Sequence, residues 1–556
     1  MNSKRGLSKT TFKTGHRCER ALWLDFHKPE LADERFGDSS TELGSEVGIL
    51  ARQYFPDTKL IDTFDENDPM RLQKAAKETE QWLNLSPCIA EATFFRGPHK
   101  CQVDLLKRYA NGTYALIEVK SACNVREKNK AARVREDYLL DVGFQLWVLK
   151  GADIPVSKVY IMHPYKEFRL DGELDLESYF TFEDVSDEAA VIAANIADSG
   201  EIEKMLDVAL AYTEPSCKCG KQCCSPKCQY LGHCLPEANL DDSVVWVGGI
   251  ARQKAISLIQ SGIVTMANLL ANEKAEAEEA ATSGAKHKGL AEKTILQLAG
   301  KPSVDKSRLR DWLTPLEGKT LYWLDFETWQ LPIPRFQGDK PWEQVPTQYS
   351  LHVTTPEGKV RHSEFLAQAG SDPWDGIAEH LAANIPANAV IIAYNKSFER
   401  DRIRSMTAKK PDLANRLLSS IGEGNNPEGK LVDLIEPFNK GMVYMPAMKG
   451  SRSIKVTLPA LFPDDAGLDY HNLINHGDAS PLVQNGSMAM EAFAGLENMI
   501  DTAQVEATRE NLLRYCELDT WAMVKIWLRL REWAGFDPLP MLSVDAVCPK
   551  HADCAL

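Results

Sequence analysis

Apolar residues fall along this chain in two patterns. Short runs of strand length are bounded by turn residues, and longer stretches repeat apolar positions at helical spacing. From residue 1 to about 215 the two patterns alternate, as in a mixed α/β domain. A cysteine-rich segment follows, and then a stretch from about 237 to 305 with a helical pattern, rich in Ala, Glu and Lys. Within it "VGGIARQKAISLIQSGIVTMANLL" reads as a helix–turn–helix pair with glycines at the corners. Such a pair serves either as a helix–hairpin–helix-like backbone binder or as a packing spacer. A second α/β pattern opens at about residue 318 with "LYWLDFETW". The expected domains are 1–236, 237–317 and 318–545, with a tail over 546–556.

The strand over 321–329 carries two acids near its end. Side chains alternate along a strand, so Asp325 and Glu327 share a face and Phe326 takes the other. Two like charges side by side raise each other's pKa unless a cation lies between them. The plain alternative is a strand end with solvated acids. Partners for the pair stand further on. "ANAVIIAYNKSFERDRI" reads as a buried strand running into a helix, with Asn395, Phe398 and Glu399 at the junction. "LLRYCELDTWAMVKIWLRL" reads as a helix with Tyr515 and Asp519 one turn apart on one face. Carboxylates converging from these elements can hold two divalent ions, Mg²⁺ or Mn²⁺, which activate water and stabilise a leaving oxygen.

In the first half, "CQVDLLKRYANGTYALIEVKSA" reads as a hairpin. Asp104 on its first strand can meet Glu118 and Lys120, which share a face of the second. An Asp, a Glu and a Lys so placed suit metal-dependent phosphodiester hydrolysis, against the alternative of an ordinary surface Glu–Lys pair. "VREKNKAARVR" then offers Arg126, Lys128, Lys130, Arg133 and Arg135 as a phosphate-tracking patch.

Composition adds limits. Hydrophobic residues make up 44% and charged residues 26% of the 556, as in an ordinary soluble protein. No apolar run has membrane-spanning length, and the basic N-terminus lacks the apolar core of a secretory signal, so a cytoplasmic location is expected. A net charge of −15 disfavours nucleic-acid binding by the whole surface and restricts it to local basic patches. Of 13 cysteines, Cys217, Cys219, Cys223, Cys224, Cys228 and Cys234 crowd one segment. In a reducing compartment such a cluster points to zinc or an iron–sulfur centre rather than to disulfides.

Two resemblances follow from these motifs. Glu91 in "IAEATFF", Asp104, "EVK" with Glu118 and Lys120, and Gln145 in "DVGFQLWVL" resemble the PD-(D/E)XK nucleases of the RecB type. The CRISPR-associated and AddB-like members of that group hold a four-iron cluster. The resemblance implies a [4Fe-4S] ligand set of Cys18, Cys223 (or its neighbour Cys224), Cys228 and Cys234, with zinc as the alternative. Many relatives carry a metal-binding histidine where this chain has Gly48, which implies weak metal binding or inactivity there. Asp325, Glu327, Glu399, Tyr515 and Asp519 resemble the DEDD exonucleases of the ribonuclease H-like fold, in the Tyr-x-x-x-Asp subgroup. Glu399 stands where that group usually has Asp, with Asp401 and Asp433 as substitutes or helpers. "QYSLHV", "HSEFL", "AYNKSFE" and "SIKVTLPAL" resemble an uncharacterised bacterial family that joins the two halves.

The fold expected is therefore α/β multidomain: a restriction-endonuclease-like first domain, a helical linker and a ribonuclease H-like last domain. The function expected is an exonucleolytic, metal-dependent nuclease in repair or defence, acting on nucleic acid with DNA ahead of RNA. A catalytically degenerate nucleic-acid-binding scaffold and a zinc-containing protein–protein adaptor are the alternatives.

Overall fold

A computed structural model describes residues 6–33, 44–61, 68–127, 130–216, 228–283, 289–465, 468, 470 and 483–543. The chain is an α/β multidomain protein with mixed sheets and many helices. It forms two compact units, one of residues 1–239 with 331–343, the other of residues 240–330 with 344–556. The helical stretch after the cysteine segment, helices Arg252–Gln260, Met266–Ser283 and Glu292–Ala299, clusters with the second unit.

The first unit contains β1 (Thr58–Leu60), β2 (Cys88–Arg96), β3 (His99–Arg108), β4 (Tyr114–Val119), β5 (Arg126–Glu127), β6 (Lys130–Val134), β7 (Val156–Pro164) and β8 (Phe180–Asp184). Its main sheet runs β1-β2-β3-β4-β7-β8, parallel at β1–β2 and β4–β7 and antiparallel elsewhere. The expected hairpin is β3–β4, turning at Gly112, whose φ of +81° suits a residue without Cβ. Every residue from Tyr114 to Glu118 is buried, because helices cover both faces of the sheet there. Helix Glu136–Gly151 lays Leu139, Val142, Leu146 and Leu149 on one face, and helix Gly44–Tyr54 brings Val47 and Ala51 to the other. Glu118 is the one acid in this apolar run, so its partners matter.

The second unit contains β9 (Ser303–Val304), β10 (Leu321–Gln330), β11 (Gln344–Thr354), β12 (Val360–Leu366), β13 (Val390–Ala393), β14 (Lys430–Asp433) and β15 (Val443–Tyr444). Its five-stranded sheet runs β12-β11-β10-β13-β14. β10, β13 and β14 are mutually parallel, while β11 and β12 join by antiparallel pairing. Alternation along β10 sorts the two faces. Leu324 and Phe326 join Trp374, Ile377 and Leu381 of helix Pro373–Asn384 in one core. Trp323, on the other face, meets Trp527 of helix Thr502–Ala534 with ring centroids 5.2 Å apart. That helix starts under the Asp501 side chain, which accepts from the Ala503 N–H, and stops at Gly535, whose φ is +75°. Its 33 residues carry the apolar stripe that packs on the sheet. Among the described residues no helix is long and apolar enough to cross a membrane.

Candidate active sites

The face of β10 that carries Trp323 also presents Asp325 and Glu327, and helix Thr502–Ala534 lowers Asp519 onto it. Carboxylate oxygens of Asp325, Glu327 and Asp519 all lie within 4.8 Å of one another. Asp325 pairs with Ser350 and Glu327 with Gln348 across β11, and the register shifts just after Glu327. Gln348 donates to the Leu512 carbonyl at 2.8 Å, fastening the sheet to the helix beside the acids. Asp325 and Glu327 keep partial solvent access, whereas Asp519 is buried. Burial acts on all three, and repulsion from neighbouring acids adds to it for Asp325 and Glu327. Burial, then Asp519 and Glu399, push Asp325 well above the ordinary carboxylate range. Glu327 rises to about 8 through burial and the neighbouring Asp519. Asp519 rises only to about 6, since burial is offset by hydrogen bonds from Tyr470 and Tyr515 and by the charge of Lys455.

Glu399 lies in the first turn of helix Ser397–Lys409, following the left-handed Asn395 with φ +71°. Only 2% exposed, it has a carboxylate oxygen, Oε2, with no hydrogen-bond partner. A buried acceptor left without a donor is costly unless a ligand satisfies it. Burial, then repulsion from Asp433 and Glu327, raises its pKa to about 8. It stands near the three acids, outside the 4.8 Å group. The two proposed helpers do other work. Asp433 accepts from the Asn395 N–H at 2.9 Å, closing the turn into the helix, and Asp401 faces Arg400 and Arg404.

Tyr515 does not stand alone. Its phenol oxygen accepts from Lys455 Nζ at 2.5 Å and its side chain bonds Asp519. The Tyr470 hydroxyl donates to Asp519 Oδ1 at 2.6 Å. Lys455 also lies 4.7 Å from the Tyr515 ring centroid and 5.2 Å from that of Tyr470. Burial and the surrounding acids push both phenols above their ordinary range, so they stay protonated and donate. Lys455 and Tyr470 were not picked out from the sequence. Lys455 lies inside "SIKVTLPAL", which carries a family resemblance in the sequence but marks no site residue, and it falls in helix Ile454–Leu461.

The first-unit acids meet different neighbours. Ala90 pairs with Leu105, Ala92 with Val103, and Leu105 with Ile117, which brings Glu91, Asp104 and Glu118 to one level of three adjacent strands. Glu91 takes φ +55°, a conformation most non-glycine residues avoid, and accepts from Arg52 at 2.9 Å. Glu118 Oε1 accepts from Lys9 at 2.6 Å and Lys120 at 2.8 Å, while Oε2 accepts from Gln145 at 2.6 Å. Asp141 completes the network, accepting from Lys120 at 2.9 Å and forming an ion pair with Lys13 at 2.7 Å. Burial alone would raise Glu118, but the two ammonium groups hold it down at about 2. Asp104, next to it, rises to about 7 through burial and Glu118. Both oxygens of Glu118 are thus taken, and Lys9 supplies the positive charge a metal ion would bring. Gly48 leaves open space where a Cβ would stand.

Residues therefore fit a divalent cation well in the second unit and poorly in the first. In the cysteine segment, Cys18 joins Cys228 and Cys234 in one cluster with Trp23 and Tyr230, across some two hundred residues of chain. Burial raises the Cys228 thiol, and that of Cys234 to about 11. Cys223, with Cys217, Cys219 and Cys224, lies outside the described residues. The expected basic patch is not a bare one. Arg126 pairs with Glu183, Arg133 with Glu127 and Arg135 with Asp137. Lys128 lies outside the described residues, as does the Lys130 side chain.

Residues 322–453 match the family described as Domain of unknown function (DUF2779). This match takes in Asp325, Glu327 and Glu399 and ends before Lys455, Tyr515 and Asp519. The family matched has no known function. Over 231 residues the chain is 26% identical to the Uncharacterized protein MG366 homolog of Mycoplasma pneumoniae (strain ATCC 29342 / M129 / Subtype 1). That match covers 39% of this chain and spans 33% of the length of the relative. A solved structure, "Crystal structure of SSO0001", is similar at 13% identity and a TM-score of 0.17, over 39% of this chain and 89% of that one.

Two outcomes follow from the charges. Carboxyls with folded-state pKa values raised above their unfolded ones bind more protons in the native state, so stability falls as pH rises between the two values. In EDTA, urea unfolding of the second unit should show stability decreasing from about pH 5 to pH 8, and saturating Mn²⁺ should flatten that slope. A metal-free stability that is level or rises over this range contradicts the assigned repulsion. In the first unit, Lys9→Met in an Asp325→Asn background should lower stability by about 1.5–3 kcal/mol, the worth of a hydrogen bond to a charged group. It should also create a Mn²⁺-dependent recovery that the background chain lacks. Equal Mn²⁺ responses would show that Lys9 does not stand in for a metal.

Proposed function

We propose that the protein is a metal-dependent nuclease that hydrolyses phosphodiester bonds of DNA or RNA at the second-unit acid cluster. The observation that carries this reading is the convergence of Asp325, Glu327 and Asp519 within 4.8 Å, each held above its ordinary pKa. Structures place such acids together at a cost, and a bound divalent cation reverses it. Bound there, Mg²⁺ or Mn²⁺ would supply water activation and stabilisation of the leaving oxygen. Asp325, Glu327 and Asp519 would hold the ions, and the orphaned Oε2 of Glu399 supports a place for it beside them. Tyr470 and Tyr515 fix the orientation of Asp519 by donating to it. Lys455, hydrogen-bonded to Tyr515 at the edge of the acids, keeps an ammonium ready for a phosphate oxygen. This constellation supports the resemblance to DEDD exonucleases of the ribonuclease H-like fold, and hence exonucleolytic cleavage in repair or defence.

For the first unit we infer a RecB-like PD-(D/E)XK domain that binds nucleic acid and does not cut. Saturation of Glu118 by Lys9, Lys120 and Gln145 favours this over an active second nuclease. The gathering of Cys18 with Cys228 and Cys234 supports a [4Fe-4S] cluster closing that domain, with Cys223 as the further ligand.

Labelled oligonucleotides incubated with Mg²⁺ or Mn²⁺ test the activity. Asp325→Asn and Asp519→Asn should each reduce cleavage by about a hundredfold or more, the scale of losing a transition-state contact of several kcal/mol. Glu399→Asp should retain activity and Glu399→Ala should not, while Tyr515→Phe should be milder than either Asp change. Wild-type rates in the Asp325 and Asp519 variants, with Lys120→Ala inactive instead, would move the chemistry to the first unit. For the cysteines, anaerobically purified protein should contain iron and absorb broadly in the visible range. Stoichiometric zinc without iron, or iron content unchanged by Cys18→Ala, contradicts the cluster as assigned.

A further inference from the structure

A second group of ligand-type side chains stands in the same unit, apart from the three acids. His352 on β11 and His362 on β12 are direct partners in the antiparallel register, so both imidazoles project from one face. Their ring centroids are 4.5 Å apart. Glu517 on helix Thr502–Ala534 faces them, with Oε1 3.9 Å from His362 Nδ1. Ligand atoms of His352, His362 and Glu517 lie within 4.8 Å of one another. His352 is fully buried, and the side chains of His362 and Glu517 are 5% and 13% exposed.

The protons of this group can be assigned from one carbonyl. A carbonyl only accepts, so Thr520 Oγ1 donates its proton to the Glu517 backbone oxygen at 3.0 Å. Thr520 Oγ1 must then accept from Ser350 Oγ at 2.7 Å and from His352 Nδ1 at 2.8 Å. Ser350, having given up its proton, accepts from His362 Nε2 at 2.9 Å. Each imidazole is thereby protonated on the nitrogen turned to a hydroxyl. Nδ1 of His362 is the nitrogen turned toward Glu517, and a metal ion would take the nitrogen of each ring that faces no hydroxyl. Metal-binding histidines are fixed in this way, with the second nitrogen donating to an oxygen that sets tautomer and ring orientation.

We propose that His352, His362 and Glu517 form a binding site for a divalent transition-metal ion of the zinc type, separate from the acid cluster and serving a structural role. Two imidazoles and a carboxylate suit zinc, whereas Mg²⁺ prefers oxygen ligands throughout. The ion ties β11 and β12 to the helix segment that carries Asp519 two residues after Glu517. It thus positions the acid cluster without belonging to it. The proposal does not rest on the nuclease reading.

Full-length metal-free protein titrated with Co²⁺ alone provides the test, since cobalt reports its ligands through visible absorption. Wild-type chain should take up one more equivalent than His362→Gln, and the difference spectrum should show ligand-field bands without sulfur-to-cobalt charge transfer. Asp325→Asn should retain that equivalent. Zn²⁺ should displace it and raise the unfolding temperature of wild type and of Asp325→Asn. Glu517→Gln, a change in a less buried residue, should weaken uptake at least tenfold and serves if His362→Gln does not fold. Equal Co²⁺ uptake by wild type and both variants overturns the site. Loss of the equivalent in Asp325→Asn would do the same, because it would assign the metal to the acid cluster.

Discussion

Repulsion among Asp325, Glu327 and Asp519 is the constraint around which the second unit is built. Strand alternation fixes the first two side by side, and a helix of 33 residues, anchored through Trp323–Trp527 and Gln348–Leu512, leaves Asp519 no room to withdraw. Hydrophobic packing supplies the free energy that holds like charges together. The cluster then persists by holding protons, and a cation bound there would compete with them near neutral pH.

The first unit resolves the same electrostatic problem differently. Glu118 is as deeply buried as Asp519, yet two ammonium groups and an amide satisfy it from within the chain. A buried acid paired in this way has little left to offer a metal ion. Asp104 reflects that balance, losing its charge more readily than an ordinary aspartate because it is buried and because its neighbour keeps a charge. The contrast distinguishes acids crowded by one another from acids paired with ammonium groups of the same chain.

Much of this was legible in the sequence where period and spacing alone determine the result. The β3–β4 hairpin, the shared face of Asp325 and Glu327, the burial of Phe326 opposite and the helix bearing Tyr515 and Asp519 all follow from local pattern. What was not legible depends on long-range closure. Lys9 meets Glu118 across 109 positions, and Tyr470 meets Asp519 across 49, and nothing in the local pattern marks either partner. His352 and His362 are ten residues apart in different strands, and only the β11–β12 register brings them opposite. The basic run after Cys123 shows the converse error. Its arginines look free in one dimension, but strand pairing and the sheet edge bring Glu127 and Glu183 to them.

Anomalous scattering from a crystal soaked in Mn²⁺ near pH 8 tests the central claim most directly. The account predicts a manganese peak among Asp325, Glu327 and Asp519, and none at Glu118. An acid cluster that stays free of manganese, with the peak at Glu118 in its place, would contradict it.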